Sequence, residues 1–444
     1  MKFRVEVVWV GEEGDELRSG VLAMERGQLA METLGLNLSE SKAMLEGVQD
    51  FVVAQQSAVD LKQRRRCPSC SQRYTGKTGG TKEVKTLFGA VEVANPRWKR
   101  CPCQKSGPKT FRPAAAWLVG KTSPELQYVE TKWASLIPFA KSAELLREVL
   151  PVDEATSPES IRRTLHATAQ RMEEELGEER QLNLFQDEPQ ENEPLEPPDG
   201  PITVGIDGGY VRAAHKEGFF EVIAGRSVVA FRREAGDEVP EAKCFGYVQT
   251  YDQKPRRRLW ELMKSQGLKD NQQVVFMSDG GEDVRRVQTY LHPGSEHWID
   301  WFHITMRLSV KHLLWHGNVA EALDRQKELL LDLDLIRAQS AATEKLATGM
   351  SEFETYIRNN REFIPNFGER YRQGETITTA FVESTINQVV SRRFVKRQQM
   401  SWTLRGAHLL LQTRTKVLNN ELEDVFRRWY PQFRPKAACT ACAA

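Results

Sequence analysis

The sequence lacks the features that would direct a protein to a membrane or to an oxidising compartment. No apolar run approaches the roughly 20 residues that cross a bilayer. The N-terminus, MKFRVEVVWVGEEGDE, turns acidic where a signal peptide would stay apolar. There are only seven cysteines, an odd number, which argues against a disulfide framework. We therefore expect a cytoplasmic protein that spans no membrane.

The chain has almost no net charge, but its charges are unevenly distributed. Over 444 residues, 62 Lys and Arg face 61 Asp and Glu. Residues 61–121 hold 15 basic residues against only Glu83 and Glu92, as expected of a module that contacts phosphates. Residues 173–199 hold 11 acidic residues against Arg180 alone, with four prolines. That composition predicts a linker that does not order itself, because it has little apolar surface to bury.

Length and pattern predict several domains. The N-terminal part has a strand over Phe3–Val10 and then two helices, the second from about Ser39 to Lys62. The predicted segments are an N-terminal region of strand and helices (1–62), a basic Cys-rich module (63–121), a helical region (122–180), an acidic Pro-rich linker (181–200), a catalytic core (201–303 and 376–430), an all-helical insertion (304–375) and a tail (431–444).

The basic module has the pattern of a zinc ribbon. Cys67-Pro-Ser-Cys70 and Cys101-Pro-Cys103 flank a Gly-rich turn and a predicted strand pair around Glu83–Val93. Four thiolates match a structural Zn²⁺ site in number, although the CxC half is less usual than CxxC. Cys244 is predicted to be a small buried hydrophobe. Cys439 and Cys442 lie in a tail of small residues, which favours a frayed terminus over a ligand site.

The helical region could form a helix-turn-helix. A helix near Ala140–Leu150 precedes a turn, and Ser157 and Pro158 suit the N-cap and first position of a second helix. Arg162 and Arg163 on the second helix would then contact DNA. The alternative is an ordinary pair of helices.

Beyond the linker, short apolar runs bounded by turns predict elements in the order βββαβαβ. This order predicts a ribonuclease-H-like core, a mixed five-stranded sheet with flanking helices, provided that a further helix brings a last carboxylate back to the first and fourth strands. The predicted strands are Ile202–Ile206, Phe219–Ile223 with Val228–Phe231, Cys244–Thr250, Val274–Met277 and His297–Asp300, and the predicted helices are Arg256–Gln266 and Asp283–Leu291.

Three carboxylates fall where such a core would need them. Asp207 and Asp279 each follow an apolar strand and precede two glycines. A lone Asp-Gly is usually a turn, but its repetition after the first and fourth strands favours a site. Glu383 lies in a predicted helix of about Thr376–Phe394, on or beside its apolar stripe, where a carboxylate has to be paired or bound to metal. The alternatives for this third carboxylate are Glu352, Glu369 and Glu375, although a helix-start position is sufficient to explain Glu375.

These residue types suit metal-assisted phosphodiester chemistry. Carboxylates held close together repel one another unless cations neutralise them. Oxygen ligands select Mg²⁺ or Mn²⁺. Two such ions activate a water or 3′-hydroxyl and stabilise the leaving oxygen, with no Cys or His nucleophile.

Four motifs resemble those of the ISKra family of bacterial insertion-sequence transposases, within the Mutator-like group of DDE transposases. The resemblance implies a ribonuclease-H-like fold, catalysis by Asp207, Asp279 and Glu383, and DNA cutting and joining by a homo-oligomer that holds two DNA ends together. The motifs are Gly205-Ile-Asp-Gly-Gly-Tyr-Val-Arg212, Ser278-Asp-Gly-Gly-Glu282, Phe381-Val-Glu-Ser-Thr-Ile-Asn-Gln388 continuing through Ser391 to Trp402, and Trp298-Ile-Asp-Trp-Phe-His303.

The last motif adds Asp300 and His303 as site residues by the same resemblance. Their spacing puts them together at a strand-to-helix junction, where they could position DNA or form a structural hydrogen bond. Asp300 also ends a strand, so it could replace Asp279 as the second metal ligand.

A basic run after Glu383 is a second expected DNA contact. Residues 384–420 contain no acidic residue. Such a run is usually a solvated face, but this one continues from the helix of Glu383, which favours contact with the DNA backbone. The residues expected to take part are Arg392, Arg393, Lys396 and Arg397.

We therefore expect a DNA transposase that binds the terminal inverted repeats of its element and catalyses metal-dependent strand cleavage and transfer. Its partners would be double-stranded DNA, both element ends and target, which would associate it with the nucleoid. The alternatives are a structure-selective nuclease of the same fold and a non-catalytic zinc-ribbon DNA-binding protein.

Overall fold

A computed structural model describes most of the chain: residues 1–11, 14–77, 79–104, 107–177, 201–214, 218–229, 242–269, 272–280, 287–288, 295–301, 303–304, 344–373, 380–394 and 400–435. The chain forms two compact units. The first runs from Met1 to Thr168 and continues from Leu422, and the second comprises Ala169–Glu421. The predicted linker at 181–200 lies outside the described residues.

The first unit begins with a β-hairpin and a long helix. Strands β1 (Lys2–Val10) and β2 (Glu16–Glu25) pair in antiparallel fashion. Helix α1 (Leu38–Gln63) starts at Asn37, whose side chain accepts a hydrogen bond from Glu40 N at 2.9 Å. The sequence predicted two helices after the first strand. The first of these was wrong, because the strand β2 follows β1 instead. Residues 16–25 form a strand because β1 lies beside them and supplies their backbone hydrogen bonds.

The Cys-rich module contains two small sheets. Strands β4 (Thr81–Thr86) and β5 (Gly89–Ala94) form the antiparallel pair expected around Glu83–Val93. A separate sheet has the order β3-β6-β7 and is antiparallel throughout. Its strands are β3 (Gly76–Lys77), β6 (Arg97–Lys99) and β7 (Thr110–Phe111).

Three helices follow: α2 (Pro124–Leu136), α3 (Phe139–Val149) and α4 (Pro158–Leu176). Ser157 caps α4 as expected, since its hydroxyl accepts a hydrogen bond from Ser160 N at 3.2 Å. The α3–α4 connection, residues 150–157, is longer than the three or four residues of a helix-turn-helix. This length favours the ordinary helix pair. The boundary between the two units falls within α4.

The second unit is built on a five-stranded mixed sheet of order β10-β9-β8-β11-β12. The three consecutive strands β8, β9 and β10 are antiparallel neighbours, whereas β11 runs parallel to both β8 and β12. In chain order, the first and fourth strands of this sheet are β8 and β11, and they are therefore neighbours, as predicted. The strands are β8 (Ile202–Arg212), β9 (Phe219–Val229), β10 (Ala242–Val248), β11 (Val274–Ser278) and β12 (Glu296–Ile299).

Helix α5 (Pro255–Ser265) covers one face of this sheet, at the position predicted for it. Its buried residues Leu259 and Met263 join Val204 and Phe276 in one apolar cluster. Strand β11 is buried along its whole length, which explains its continuous apolar sequence. The helix predicted at Asp283–Leu291 lies almost wholly outside the described residues.

The rest of the second unit is helical. Residues 380–394 form the helix expected over 376–394, with a π-helical turn (Asn387–Ser391) between α8 and α9. Within 344–373, the part of the predicted insertion that is described, the regular elements are helical, as predicted. The helices are α6 (Glu344–Asn359), α7 (Phe367–Arg372), α8 (Ala380–Ile386), α9 (Arg392–Phe394) and α10 (Leu404–Leu418).

The last described helix is α11 (Leu422–Trp429), which belongs to the first unit and not to the predicted core. The reason is aromatic packing: Phe426 lies 5.5 Å from Tyr128 of α2, measured between ring centroids, and Phe433 lies 5.4 Å from it. Arg434 also pairs with Glu125 at 2.9 Å. Among the described residues, no helix has the length and apolar character needed to span a bilayer.

Candidate functional site

Asp207 was expected at the end of the first strand, but it lies in the middle of β8. The strand continues to Arg212, and Asp207 is opposite Ala224 of β9. Its carboxylate oxygen Oδ1 accepts a hydrogen bond from Gly208 N at 2.7 Å. Asp207 is half-buried, so the carboxylate remains partly accessible.

Three aspartates are aligned across the parallel strands. Met277 of β11 pairs with Gly205 of β8, so continuing the register by two residues brings Asp279 level with Asp207. Ser278 pairs with Ile299 of β12, which in the same way brings Asp279 level with Asp300. Neighbouring strands lie about 4.8 Å apart, and level residues project on the same face. The three carboxylates therefore belong to one row.

The electrostatics of Asp207 reflect this row. Burial raises the pKa of its carboxyl group. The negative charges of Asp279 and Asp300 raise it further, while the Gly208 amide and His303 act in the opposite direction. A group in this environment resists ionisation unless a cation approaches.

Asp300 differs from the other two aspartates in being completely buried. Its backbone N–H donates to Ser278 O at 2.9 Å, which continues the pairing of β11 and β12. His303 Nε2 lies 3.7 Å from Asp300 Oδ2, so the two residues are close together as predicted.

The turn after β11 holds Asp279 through its backbone. Gly280 has φ +91°, a conformation that favours glycine. Its N–H donates to Ser278 Oγ at 3.1 Å, and that hydroxyl lies 2.9 Å from His297 Nε2. The hydroxyl of Tyr356, on α6, donates to Asp279 O at 2.9 Å. Sequence reasoning missed Tyr356 because no local pattern links a residue 77 positions away to this turn.

Helix α8 packs on the face of β8 that carries Asp207. A Cβ on Gly205 would overlap Val382, and one on Gly209 would contact Ile386 Cγ2 at 3.4 Å. Because residues 205, 207 and 209 share a face, α8 passes over the side of the sheet where Asp207 projects. Glu383 lies on α8 between these two contacts.

Glu383 itself is exposed, so of the two predicted positions, on or beside the apolar stripe, it takes the second. The adjacent residue Val382 takes the buried position, and Glu383 lies just outside the apolar stripe. Within the described part of the chain, the carboxylates of Asp207, Asp279 and Glu383 do not form a group whose oxygens all lie within 4.8 Å of one another.

Two groups of residues do meet that distance. One is Glu173, Asp252 and His408, around Arg258, whose side chain is 11% exposed. Arg258 donates to both carboxylate oxygens of Glu173 at 2.9 and 3.0 Å, and its Nε donates to Asp252 at 3.0 Å. The guanidinium already supplies the positive charge these carboxylates require, so an ion-pair cluster explains them without a metal. The sequence pattern did not indicate this cluster.

The other group is the four predicted cysteines. The Sγ atoms of Cys67, Cys70, Cys101 and Cys103 all lie within 4.8 Å of one another. The separation is 3.5 Å for Cys67–Cys103 and 3.3 Å for Cys70–Cys101. Tetrahedral zinc with Zn–S bonds of about 2.3 Å separates its sulfurs by about 3.8 Å, so the arrangement is compatible with a zinc site.

The surrounding residues favour the ionised form of Cys67 and hold Cys67 and Cys101 in place. Burial opposes ionisation of the Cys67 thiol, but hydrogen bonds from the backbone N–H groups of Ser69 and Cys70 outweigh it and lower its pKa to about 6. Cys67 and Cys101 pack with Tyr74 and Trp98 in a small apolar cluster. The thiolate is the form that binds metal. Cys244 is buried as predicted, and burial raises the pKa of its thiol to about 12. Cys439 and Cys442 lie outside the described residues.

The arginines expected to bind DNA have different environments. Arg162 and Arg163 are exposed, but both pair with Glu159, at 2.9 and 3.7 Å. Arg392 is exposed, whereas Arg393 is buried against Trp402, with its guanidinium 5.2 Å from the ring centroid. The expectation for Arg393 was therefore wrong, because helical rotation turns it inward. Lys396 and Arg397 lie outside the described residues.

Arg414, a further arginine of the basic run over 384–420, is also buried. It donates from Nε to Val389 O at 2.8 Å and from Nη2 to Gln388 O. These bonds satisfy carbonyls of the π-helical turn behind α8. Arg414 therefore supports the helix that carries Glu383.

No protein-family model matches the chain, and no curated protein sequence matches it significantly.

Proposed function

We propose that this chain is a DNA transposase with a ribonuclease-H-like core in its second unit. The observation that carries the proposal is the alignment of Asp207 on β8 with Asp279, the residue that follows the adjacent parallel strand β11, under the helix that bears Glu383. The motif resemblance adds the transposase identity. The strand order β10-β9-β8-β11-β12 supports the fold, because it makes the first and fourth strands neighbours.

The donor set at this edge of the sheet fits Mg²⁺ or Mn²⁺, because it consists of carboxylate oxygens and Asp207 is adjacent to two further negative charges. Asp207, Asp279 and Glu383 would hold the metal. When bound, such ions activate the attacking oxygen and stabilise the leaving oxygen of a phosphodiester.

The protein's own groups would orient this chemistry. Gly208 N fixes the rotamer of Asp207, and Tyr356 with Ser278 fixes the turn of Asp279. Asp279 is half-exposed whereas Asp300 has no exposed surface, which favours Asp279 as the second ligand. Asp300 would then act with His303 as a positioning pair.

The test uses full-length protein, Mn²⁺ or Mg²⁺ and labelled DNA that carries the terminal inverted repeats of the element. We expect cleaved ends and their joining to a target plasmid. Asp207→Asn, Asp279→Asn and Glu383→Gln should each abolish both products and leave binding of the ends intact. Glu352→Gln, an exposed carboxylate on α6, is the control that should retain activity.

Three outcomes would contradict parts of this proposal. Cleavage without joining would assign the chain to the nucleases. Activity that survives Asp279→Asn but is lost in Asp300→Asn would exchange the second ligand. Binding without any metal-dependent cleavage in the unmodified chain would leave a non-catalytic DNA-binding protein.

We also propose that Cys67, Cys70, Cys101 and Cys103 bind one Zn²⁺. The support is the mutual proximity of their four sulfurs and the preference of zinc for a closed thiolate site. Metal analysis of reduced protein should find about one zinc per chain. If protein purified under reducing conditions is found to contain no zinc, the site is excluded.

A further inference from the structure

The sheet β3-β6-β7 has two chemically different faces. Trp98 and Phe111 are paired in register and project to the side of Tyr74 and the cysteines, where Trp98 is almost fully buried. Side chains alternate along a strand, so the residues on either side of Trp98 project to the opposite face. Those residues are Arg97 and Lys99, and both are exposed.

The next strand continues this second face. Lys99 is paired with Thr110, and Arg97 Nε donates to Thr110 Oγ1 at 2.9 Å, so the three side chains lie together. Continuing the register brings Arg112 level with Arg97. Arg112 is exposed, and its Nη1 donates to Asn95 O at 2.5 Å. We name Arg97, Lys99, Thr110 and Arg112 the basic face.

Among the residues that the structure describes, no carboxylate lies within ion-pair distance of the cations of the basic face. Neither Arg97 nor Lys99 forms an ion pair with any residue that the structure describes. The only acidic residues in 61–121 are Glu83 and Glu92, which lie opposite each other on the separate β4–β5 hairpin. Arg162 and Arg163 differ in this respect, because Glu159 already pairs with both.

We propose that the basic face contacts the phosphodiester backbone of double-stranded DNA. It presents three cations and a hydroxyl on a short sheet whose opposite side is held by aromatic packing and by the cysteine cluster. Residues two apart on a strand are about 6.7 Å apart, and neighbouring strands are about 4.8 Å apart, so the charges are held in a small array. Contacts of this kind set the position of a protein on DNA without reading sequence. The inference rests on the proposed function only for the identity of the polyanion.

The experiment measures binding of full-length protein to a labelled DNA duplex by fluorescence anisotropy between about 50 and 200 mM salt. Asp207→Asn is present throughout and divalent metal is omitted, so the result does not depend on catalysis. Each phosphate contact contributes about −0.9 to the slope of log K against log salt. Arg97→Gln/Lys99→Gln should therefore reduce the magnitude of the slope by about 1.8. Between about 50 and 200 mM salt, the DNA affinity of this double variant should then fall by a factor about twelve times smaller than that of protein with Arg97 and Lys99 intact.

The matched control is Lys2→Gln/Arg4→Gln, which removes the same charge from two exposed residues that are also two apart on a strand, β1, and that pair with Glu25 and Glu6. It should leave the slope unchanged, and both double variants should retain their zinc and their melting temperature. Equal slopes for the two double variants would overturn the proposal, because net charge alone would then explain the effect. Tighter binding of a single-stranded RNA with the same loss of slope would assign the basic face to RNA instead. Failure of cleavage in the catalytic test would leave this result unaffected.

Discussion

Gly205 lies on β8 beneath helix α8, and we predict that Gly205→Ala displaces the helix that carries Glu383. The added Cβ would overlap Val382 Cγ2 and come within 2.7 Å of Phe381 Cζ. Carbon atoms in contact are normally about 3.5–4.0 Å apart. Val382 is completely buried and has no solvent to move into. The helix therefore has to move by about 1 Å or more.

The expected magnitude follows from the packing of this contact. Forcing an extra methyl group into a closed core costs about 1–3 kcal/mol. In a unit of this size, about 2 kcal/mol lowers the melting temperature by about 4–8 °C. A catalytic group misplaced by about 1 Å lowers the rate by about 100-fold. We therefore expect a protein that still folds but cleaves about 100-fold more slowly.

Gly209→Ala is the matched control, because it is the same change on the same face of the same strand. Its Cβ would meet Ile386 Cγ2 at 3.4 Å and Val390 Cγ1 at 3.6 Å, which are ordinary contacts. Neither Gly205 nor Gly209 has a positive φ, so the backbone accepts alanine at both positions. The control should change the free energy of unfolding by no more than about 0.5 kcal/mol.

The assays are thermal unfolding followed by circular dichroism and metal-dependent cleavage at saturating DNA. A compensating change, Gly205→Ala with Val382→Ala, removes the group that the new methyl strikes and should recover part of the activity. If Gly205→Ala melts and cleaves like Gly209→Ala, α8 does not pack on β8 as described, and the reasoning that links Glu383 to Asp207 fails.

Two further predictions concern the cysteine cluster and the Arg258 cluster. Cys70→Ser should lose the zinc and lower the melting temperature, whereas Cys244→Ser should retain it, as metal analysis of both variants would check; zinc retained by Cys70→Ser would contradict the four-thiolate site. Burial opposes ionisation of Glu173, but His408 and Arg258 outweigh it and lower its pKa to about 2 from an ordinary 4.5. A depressed acid pKa stabilises the fold above the ordinary value, and this contribution is lost as the pH falls from about 4.5 towards about 2. The melting-temperature difference between unmodified protein and Glu173→Gln should therefore shrink below about pH 4.5, and a constant difference would exclude the ion pair as its cause.

Much of the second unit could be predicted from local pattern. Continuous apolar runs identified the first half of β8 and all of β11, because a strand buried on both faces needs apolar side chains throughout. In the first unit, the start of α4 at Ser157-Pro158 could also be predicted, because capping depends on neighbouring residues alone. The paired cysteine motifs predicted the cluster of four thiols for a similar reason.

Other features depended on partners distant in the chain. Residues 16–25 form a strand because β1 supplies their backbone hydrogen bonds. Helix α11 belongs to the first unit because Phe426 packs on Tyr128. Arg393 and Arg392 are adjacent in a basic run, yet only one faces solvent, because α9 packs against Trp402. Composition could not distinguish between them.

The sequence by itself determined which residues could form the carboxylate row, through the strand-Asp-Gly-Gly pattern at Asp207 and Asp279. Only the tertiary structure decided that these residues are level with each other and with Asp300, since strand order and register arise from hydrogen bonds between segments that are 72 residues apart for β8 and β11 and 21 residues apart for β11 and β12. The same is true of Glu383, whose distance from the row depends on how closely α8 approaches Gly205. Local pattern selects the residue types, and long-range packing sets their geometry.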